Sequence, residues 1–430
     1  MAETTIRYGK GALALPPEAG AWPVLRAPGL KATNDPGRCI HEAATRAADK
    51  VAEDLPKGAR LALVVPDRTR PLPLPELLPT FFDALEARGV PASQVSVVPA
   101  SGMHRPMLTE ELNAWVGNEV LRRGAHLAPH CAEAPALLLG WAGSPPFPVA
   151  GHPAVAGAGA VLVLGRIVYH YLAGFGGGRK MLVPGVAARP TILGVHAACL
   201  ATRAGRGRYP CARAGRLEGN PVHEASCAAA RLFPPTTAVH LLLTGEGQLS
   251  RGLVGDLFVT HAEACAVYAT VSELRIGNTL DGVLVSAGGH PLDRDLVQAH
   301  KALDAVAPLV REGGTIIFAA ECADGMGNEE LREGLTLGEP SHIDAALRKD
   351  FRVGVHTALA LAEKTRRFHV LALCDLPEKW LALAGMKPIA SLEEGVSQAL
   401  RRHGRKARFG VAPAGASYVY RRNDDVERFA

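Results

Sequence analysis

The chain of 430 residues lacks the features that mark several classes of protein. Its 8 cysteines are scattered and form no Cys-x-x-Cys pair, which favours free thiols in a reducing cytoplasm. The longest apolar run, around residues 154–164, is short and rich in glycine and alanine, so no membrane span is expected. The N-terminus has no basic-then-apolar signal, and we therefore predict a cytoplasmic protein.

A large excess of charge of one sign is also absent. The sequence has 47 Lys and Arg residues against 42 Asp and Glu residues, a net charge of +5. The nearest approach to a basic block, residues 401–406, ends a helical pattern and is interpreted as a solvated helix C-terminus. Nucleic acid is therefore not an expected partner, and the length of the chain favours two or three domains.

What the sequence does contain is an alternation of strand and helix signals. Short apolar runs predict buried strands at residues 60–66, 94–99, 160–164, 282–286, 315–320, 368–373 and 407–411. Helical spacing predicts helices between them, at residues 293–310, 355–366 and 391–401 in the second half. This order predicts an α/β protein with two α/β domains and largely parallel sheets, divided into residues 1–266 and 267–430.

The most distinctive segment is residues 169–180, which holds His170, a glycine-rich bend and Lys180. A phosphate-binding P-loop needs glycine directly before its lysine, and a dinucleotide-binding motif needs a third glycine at the same place. Arg179 stands there, so neither motif explains Lys180. His196 follows on a predicted helix, where it is either a metal ligand or a core histidine, and Lys180 could also bind a phosphate by charge alone.

Further polar groups follow the predicted strands, where ligands of open α/β sheets usually bind. Asp67 and Arg70 follow the first strand, and His104 follows the second. Gln298 and Lys301 share one face of a predicted helix, although a solvated face has the same spacing. Asp67 could also cap a turn and pair with a neighbouring arginine, and His104 could be an exposed loop residue.

Together these motifs resemble the nickel-pincer-nucleotide-dependent lactate racemase family, whose members are 2-hydroxy-acid racemases and epimerases. The matching segments follow the family's order and cover most of the chain. They are residues 67–71, 102–106, 170–175, 177–180, 184–186, 196, 219–224, 288–293, 298, 301 and 320–325.

The resemblance implies an active site in the cleft between two α/β lobes. It implies a cofactor, pyridinium-3,5-bisthiocarboxylic acid mononucleotide, which holds nickel through carbon and sulfur atoms and is attached covalently to Lys180. His196 would complete the nickel coordination, and His104 and His170 would be the two catalytic acid/bases. The remaining implied contacts are Arg70 and Lys301 for the substrate carboxylate, Asp67 and Gln298 for cofactor or substrate, and Gly177 and Gly178 beside the cofactor.

The chemistry of these residue types is consistent with the implied roles. Removal of hydride from a 2-hydroxy acid gives a planar 2-keto acid that can take hydride back on either face, and a cofactor must accept that hydride. Two bases are needed, one for each enantiomer of the substrate. Imidazole, with an ordinary pKa of about 6.5, suits both giving and taking a proton. Imidazole also suits nickel, and an arginine fork suits a carboxylate.

Departures from the family pattern concern the wall of the substrate pocket. Val297 stands where lactate racemase proper has a tyrosine. The tryptophan expected to line the lactate pocket has no clear counterpart in this sequence, and Phe351 or His356 falls nearest to its position. Specificity depends on such walls, so a 2-hydroxy acid other than lactate is a plausible substrate.

We therefore predict an isomerase that inverts C2 of a lactate-like 2-hydroxy acid, with transient contacts to the enzymes that build its cofactor. A dehydratase or oxidoreductase acting on a 2-hydroxy or sugar acid with the same cofactor is the alternative enzyme. A non-catalytic nickel-nucleotide-binding protein is a third hypothesis, against which the pair of His104 and His170 argues.

Overall fold

The computed structural model describes residues 4–70 and 72–423, which form two compact units. The six-stranded unit comprises Gly29–Cys199 and Cys211–Thr270. The five-stranded unit comprises the described parts of Met1–Pro28, Leu200–Pro210 and Val271–Ala430. Among the described residues, no helix has the length and apolar character needed to cross a membrane.

Strands and helices alternate along most of the described chain. The strands are β1 Thr5–Tyr8, β2 Gly11–Ala14, β3 Leu61–Pro66, β4 Val95–Ala100, β5 His126–Leu127, β6 Leu137–Ala142, β7 Phe147–Gly151, β8 Ala160–Arg166, β9 Tyr169–His170, β10 Gly174–Phe175, β11 Thr236–Leu243, β12 Leu249–Asp256, β13 Glu273–Ile276, β14 Leu280–Ser286, β15 Val310–Ala319, β16 His369–Leu373, β17 Lys387–Pro388, β18 Phe409–Ala412 and β19 Val419–Arg422. The helices are α1 Pro17–Gly20, α2 Pro36–Asp54, α3 Leu74–Glu86, α4 Thr109–Val116, α5 Asn118–Arg122, α6 Pro153–Ala156, α7 Arg179–Leu182, α8 Arg189–Ala197, α9 Pro221–Ala230, α10 Leu257–Ser272, α11 Leu296–Val306, α12 Glu329–Thr336, α13 Pro340–Lys349, α14 Val353–Thr365, α15 Glu378–Leu383 and α16 Leu392–His403.

The sheet of the six-stranded unit has the order β12-β11-β8-β3-β4-β5 and is parallel except for the β11–β12 pair. Strand β3 is buried along its whole length, as expected of a strand covered on both faces. Leu61 pairs with both Val95 and Ala160, so β3, β4 and β8 start in register. The loops that follow these three strands therefore leave the sheet at one edge.

The sheet of the five-stranded unit has the order β17-β16-β15-β14-β18 and is parallel throughout. Its core includes apolar side chains of α11 and α14, such as Leu303 and Leu359. Asp295 caps α11 by accepting a hydrogen bond from the amide of Gln298, so the helix begins at Leu296 rather than at residue 293. The predicted α/β class with two largely parallel sheets is confirmed.

The division of the chain differs from the predicted one, which placed residues 1–266 in the first domain. Residues 4–28 and 200–210 belong instead to the five-stranded unit. The β1–β2 hairpin is held there because Ser286 Oγ donates to the carbonyl of Arg7 and the amide of Gly9 donates to Asp293 Oδ2, at 2.7 Å. These contacts join residues far apart in sequence, so no local pattern indicates them.

A cluster of ion pairs connects residues 200–210 to the rest of the five-stranded unit. Arg208 Nη2 lies 3.2 Å from Asp304 Oδ1 and 2.9 Å from Glu363 Oε2, and Lys364 also pairs with Asp304. Burial disfavours the ionised carboxyl of Asp304, but the charges of Lys364 and Arg208 outweigh it and hold its pKa below the ordinary value. The cluster is mostly buried, so loss of one member leaves opposite charges unpaired.

We expect Asp304→Asn to lower the free energy of unfolding by about 3–5 kcal/mol, because it removes the anion that Lys364 and Arg208 share. Urea denaturation measures the change. The control, Glu339→Gln, breaks the exposed pair of Glu339 with Arg366 and should change the free energy by less than about 1 kcal/mol. Equal effects of the two variants would show that the buried cluster contributes no more than a surface ion pair.

Candidate active site

The loops after β3 and β4 bring Asp67 and His104 into contact. Asp67 Oδ2 lies 2.7 Å from His104 Nδ1, and Asp67 Oδ1 accepts hydrogen bonds from the amide and hydroxyl of Thr69. The side chain of Asp67 is 3% exposed and that of His104 is 40% exposed. A buried carboxylate therefore orients an accessible imidazole.

The charge state of Asp67 determines how His104 is used. Burial alone would raise the pKa of the Asp67 carboxyl, but the hydrogen bond and charge of His104, with smaller effects of Thr69 and Arg70, lower it below its ordinary value. An ionised carboxylate can only accept, so His104 Nδ1 donates to it. The Nε2 atom of His104 is then left to exchange a proton with a ligand. Pro71, which belongs to the same sequence motif, lies outside the described residues.

Two arginines follow the same strand ends without a carboxylate partner. Arg70 is half-buried and its Nη1 donates to Thr69 Oγ1 at 3.3 Å. Arg166 ends β8; burial lowers the pKa of its guanidinium, and the nearby charge of Arg70 adds to that effect. Within the described chain neither side chain forms an ion pair, so both suit an anionic ligand. Arg166 was not singled out in the sequence.

His170 lies on the short β9–β10 hairpin, where it pairs with Gly174. Its Nδ1 accepts hydrogen bonds from the amides of Leu172 at 3.3 Å and Ala173 at 3.1 Å. Because Nδ1 accepts, the neutral ring carries its proton on Nε2 and presents a donor. His104 and His170 therefore differ at Nε2: that of His104 has a lone pair that can accept a proton, and that of His170 carries an N–H that can donate a hydrogen bond.

The glycine-rich bend is packed against the protein's own groups. A β-carbon at Gly177 would lie 2.6 Å from the carbonyl oxygen of Arg166, and one at Gly178 would lie 2.3 Å from a ring carbon of His261. Both residues have positive φ, 73° and 53°, which favours glycine. The sequence suggested that these glycines clear space for a cofactor. In the structure the protein itself fills the space beside their α-carbons, and a cofactor contact through their backbone stays a prediction.

Lys180 lies on α7 and His196 on α8, and the charge of Lys180 acts on the His196 ring. The pKa of His196 is lowered to about 4, first by burial and then by the nearby charge of Lys180. His196 Nδ1 donates to the carbonyl of Ile192 at 2.8 Å, which leaves a lone pair on Nε2 of a neutral ring. Such a nitrogen suits a transition metal, and an amine beside it suits covalent attachment of a metal-bearing group.

Among the described residues, no group of three or more His, Cys, Asp or Glu side chains is arranged to hold a metal ion. A metal bound by His196 would therefore take its other ligands from a group that is not a side chain of this kind. The residues present fit a nucleotide that brings its own metal-binding atoms and needs one imidazole and one amine from the protein.

The five-stranded unit groups the other predicted site residues into two pairs. On α11, Lys301 Nζ donates to Gln298 Oε1 at 2.5 Å, and half-buried Val297 precedes them. At the start of α14, the rings of Phe351 and buried His356 stack with centroids 6.0 Å apart. Contact between these pairs and the residues of the six-stranded unit stays a prediction of the family resemblance.

Comparison with known proteins gives one consistent result. A family model described as the lactate racemase N-terminal domain matches residues 8–207, and one described as the lactate racemase C-terminal domain matches residues 277–420. The lactate racemase of Lactiplantibacillus plantarum is 27% identical over 385 residues, which cover 86% of this chain and 87% of that protein. The lactate racemase of Thermoanaerobacterium thermosaccharolyticum is 28% identical over 286 residues, and this match spans only 64% of that relative.

Solved structures agree with the sequence matches. The lactate racemase apoprotein from T. thermosaccharolyticum superposes with a TM-score of 0.83 at 25% identity, covering 97% of this chain and 99% of that one. A crystal structure of a Thermotoga maritima protein has a TM-score of 0.64 at 17% identity, covering 89% of this chain and 98% of that one. The second likeness concerns the fold alone.

We expect Asp67→Asn to lower the free energy of unfolding by about 1–3 kcal/mol near neutral pH, because the charged hydrogen bond to His104 is lost. The wild-type advantage should be complete above the ordinary carboxyl pKa of 3.8 and should disappear as the pH falls toward the lower folded-state pKa. Urea denaturation across this range measures it. The control, Asp83→Asn, removes an exposed partner of Arg123 and should cost less than about 1 kcal/mol. A pH-independent effect of Asp67→Asn would contradict the assignment.

We expect Gly178→Ala to destabilise the protein by about 2–4 kcal/mol, since the new methyl adds backbone strain at positive φ and meets the His261 ring. The control, Gly58→Ala, is also at positive φ, 78°, but has open space around its α-carbon. The difference between their thermal midpoints measures the steric part. Equal shifts would mean that His261 moves aside freely.

Proposed function

Because the chain belongs to the lactate racemase family, we propose that it is an isomerase that inverts C2 of a 2-hydroxy acid with a tethered nickel-pincer nucleotide. The observation that carries this proposal is the orientation of His196, whose Nδ1 is fixed by the carbonyl of Ile192 at 2.8 Å so that Nε2 keeps its lone pair, with the charge of Lys180 acting on the same ring. One group suits metal ligation and the other covalent attachment, and both follow the hairpin that bears His170.

Three residues would hold the nucleotide. Lys180 would be joined to it through the side-chain nitrogen, which must lose its proton when that bond forms. His196 Nε2 would coordinate nickel, with Nδ1 fixed by the carbonyl of Ile192. Arg166 adds a half-buried positive charge that suits an anionic group of cofactor or substrate. When bound, the nickel-pincer nucleotide supplies the hydride acceptor that no protein side chain can provide.

His104 is the residue best arranged to take the hydroxyl proton of one enantiomer. Its Nε2 accepts the proton, and the ionised carboxylate of Asp67 at Nδ1 stabilises the resulting imidazolium. The loss of the hydroxyl proton favours formation of the 2-keto acid. The buried, oriented carboxylate supports catalysis over mere storage of a nickel nucleotide, because storage needs no such pair.

His170 would act as the acid/base for the opposite enantiomer of the substrate. As it lies, it presents an Nε2–H donor to a substrate oxygen, because its Nδ1 accepts from the amide of Ala173. Taking up a proton at Nε2 requires the ring to leave that amide. Arg70 would hold the substrate carboxylate with Lys301, whose ammonium is oriented by Gln298.

The identity of the acid depends on the residues that replace the family's aromatic wall. Val297 leaves more room than a tyrosine, while the stacked pair of Phe351 and His356 offers one aromatic face and one buried imidazole. We propose a lactate-like 2-hydroxy acid with a side chain at least as large as that of lactate.

We expect protein made together with the cofactor-building enzymes to convert either C2 epimer of its substrate to the same equilibrium mixture, which is equal for an acid with no other stereocentre. The substrate screen uses lactate and longer aliphatic, aromatic and polyhydroxylated 2-hydroxy acids, with chiral chromatography. With the C2-deuterated substrate in ordinary water, the product should keep its deuterium, because a transferred hydride does not exchange with solvent. Protein made without the cofactor-building enzymes is the control and should be inactive.

Two results would contradict the proposal. Loss of the deuterium to solvent would indicate inversion by proton abstraction rather than hydride transfer. Inversion of no acid in the screen by loaded protein would exclude a racemase of this class, and net formation of a keto or dehydrated acid would indicate an oxidoreductase or dehydratase.

A further inference from the structure

We propose that Arg179 is a positioning residue that holds the hairpin bearing His170 and the helix bearing Lys180 in one arrangement, with His261 as its partner. The roles of His170 and Lys180 rest on the proposed function. The burial and contacts of Arg179 do not depend on it.

Arg179 is buried to an unusual degree for an arginine, with only 1% of its surface exposed. Its guanidinium bridges the end of the β9–β10 hairpin. Nη2 donates to the carbonyl of Ala173 at 2.7 Å, and Nη1 donates to the carbonyl of Phe175 at 2.9 Å. A planar fork is required to reach two carbonyls at once, so lysine is not an equivalent.

His261 supplies the third contact. Arg179 Nη1 lies 2.9 Å from His261 Nε2, and the same nitrogen lies 3.2 Å from the carbonyl oxygen of Gly176. Because a guanidinium can only donate, the shorter contact assigns Nε2 as the acceptor, and the neutral ring then carries its proton on Nδ1. Burial, followed by the charge of Arg179, lowers the pKa of His261 well below its ordinary value. The same ring occupies the space beside Gly178, one residue before Arg179. His261 therefore braces both the arginine and the start of α7.

Among the described residues, no carboxylate compensates the charge of Arg179. The guanidinium forms no ion pair within the described chain, and its nearest titratable neighbours are histidines and thiols. The pKa values of His223 and His240 are both lowered to about 3, by burial and then by Arg179, so these rings are neutral. A buried, unpaired cation is costly compared with an apolar side chain of similar volume. Its retention at this position points to the geometry of the fork rather than to stability.

A continuous set of contacts links the two functional groups through Arg179. The amide of Ala173 donates to His170 Nδ1, and the carbonyl of the same residue accepts from Arg179. Lys180 follows Arg179 directly in α7. Displacement of the guanidinium would free the backbone of Ala173, so the amide of Ala173 would no longer fix the tautomer of His170. It would also shift the first turn of α7, which carries Lys180.

The test compares four variants at these two positions with one control. Arg179→Met removes the fork and Arg179→Lys restores only the charge. His261→Phe removes the acceptor, whereas His261→Gln keeps an oxygen that can accept from Arg179. The control, Arg123→Met, removes another arginine of the same unit, which pairs with Asp83, Glu86 and Glu119 away from the hairpin.

Three readouts are measured at a temperature where every variant used is folded. The first is the fraction of chains with added mass on Lys180 after co-production with the cofactor-building enzymes. The second is the ¹⁵N spectrum of the His170 ring in unloaded protein, assigned with His170→Asn, which reports the tautomer. The third is the pH profile of kcat and KM per loaded chain.

In Arg179→Met and His261→Phe we expect attachment at Lys180 to fall at least about fivefold, kcat to fall at least about tenfold and KM to change less than about threefold. The Nε2–H tautomer of His170 should become mixed. In attachment at Lys180, kcat and His170 tautomer, Arg179→Lys and His261→Gln should be intermediate between these variants and wild type. Arg123→Met should lose thermal stability but keep all three properties.

The proposal is overturned if Arg179→Met or, should that variant not fold, His261→Phe keeps wild-type attachment, His170 tautomer and kcat. It is also overturned if these variants differ from wild type only in thermal stability, as the control does. Wild-type protein that carries the added mass but inverts no acid would contradict the proposed function, while attachment and tautomer would still decide the role of Arg179.

Discussion

The turn between the β9–β10 hairpin and α7 has no room for side chains, and the rest of the candidate site depends on that constraint. A β-carbon at Gly177 would lie 2.6 Å from the carbonyl oxygen of Arg166 and one at Gly178 2.3 Å from the His261 ring, while one at Gly174, within the hairpin, would lie 2.0 Å from the carbonyl oxygen of Arg216. Since the backbone can follow only one path there, the residues on either side of it, His170 and Lys180, have defined positions. The buried guanidinium of Arg179 stabilises this backbone conformation by donating hydrogen bonds to the carbonyls of Ala173 and Phe175.

Charge is distributed in a way that suits an anionic ligand. Within the described chain, Arg70, Arg166 and Arg179 form no ion pairs, and the one buried carboxylate at the same strand ends, Asp67, is engaged by His104. The proposed cofactor and substrate both carry negative charge, so they would supply what the protein lacks. Arg179 is the exception, because its Nη1 and Nη2 atoms already contact the carbonyls of Ala173 and Phe175 and the ring of His261.

The sheets, and the edge at which the loops bearing the candidate residues leave the six-stranded sheet, could be predicted from local sequence, whereas the pairing of side chains could not. Apolar runs at residues 60–66, 94–99 and 160–164 indicated β3, β4 and β8, and parallel strands place their following loops at one edge. The contact of Asp67 with His104 joins two such loops, and the attachment of residues 4–28 to the five-stranded unit joins distant segments. Neither leaves a periodic signal in the sequence.

The glycines and Arg179 illustrate a second limit. Their spacing in the sequence argued against a P-loop and a dinucleotide-binding motif, but it could not show what lies beside each α-carbon. His261, which fills the space at Gly178, is far away in sequence and has no motif around it. Arginine is so rarely buried that composition gives no reason to expect it in a core.

The covalent attachment at Lys180 is the central claim, and peptide mapping by mass spectrometry tests it most directly. Wild-type protein made with and without the cofactor-building enzymes is digested and compared with Lys180→Ala made in the same way. The account predicts an added mass on the peptide that contains Lys180, only in the presence of those enzymes and absent in the variant. An unmodified Lys180 in protein that inverts a 2-hydroxy acid, or the same mass on another residue, would contradict it.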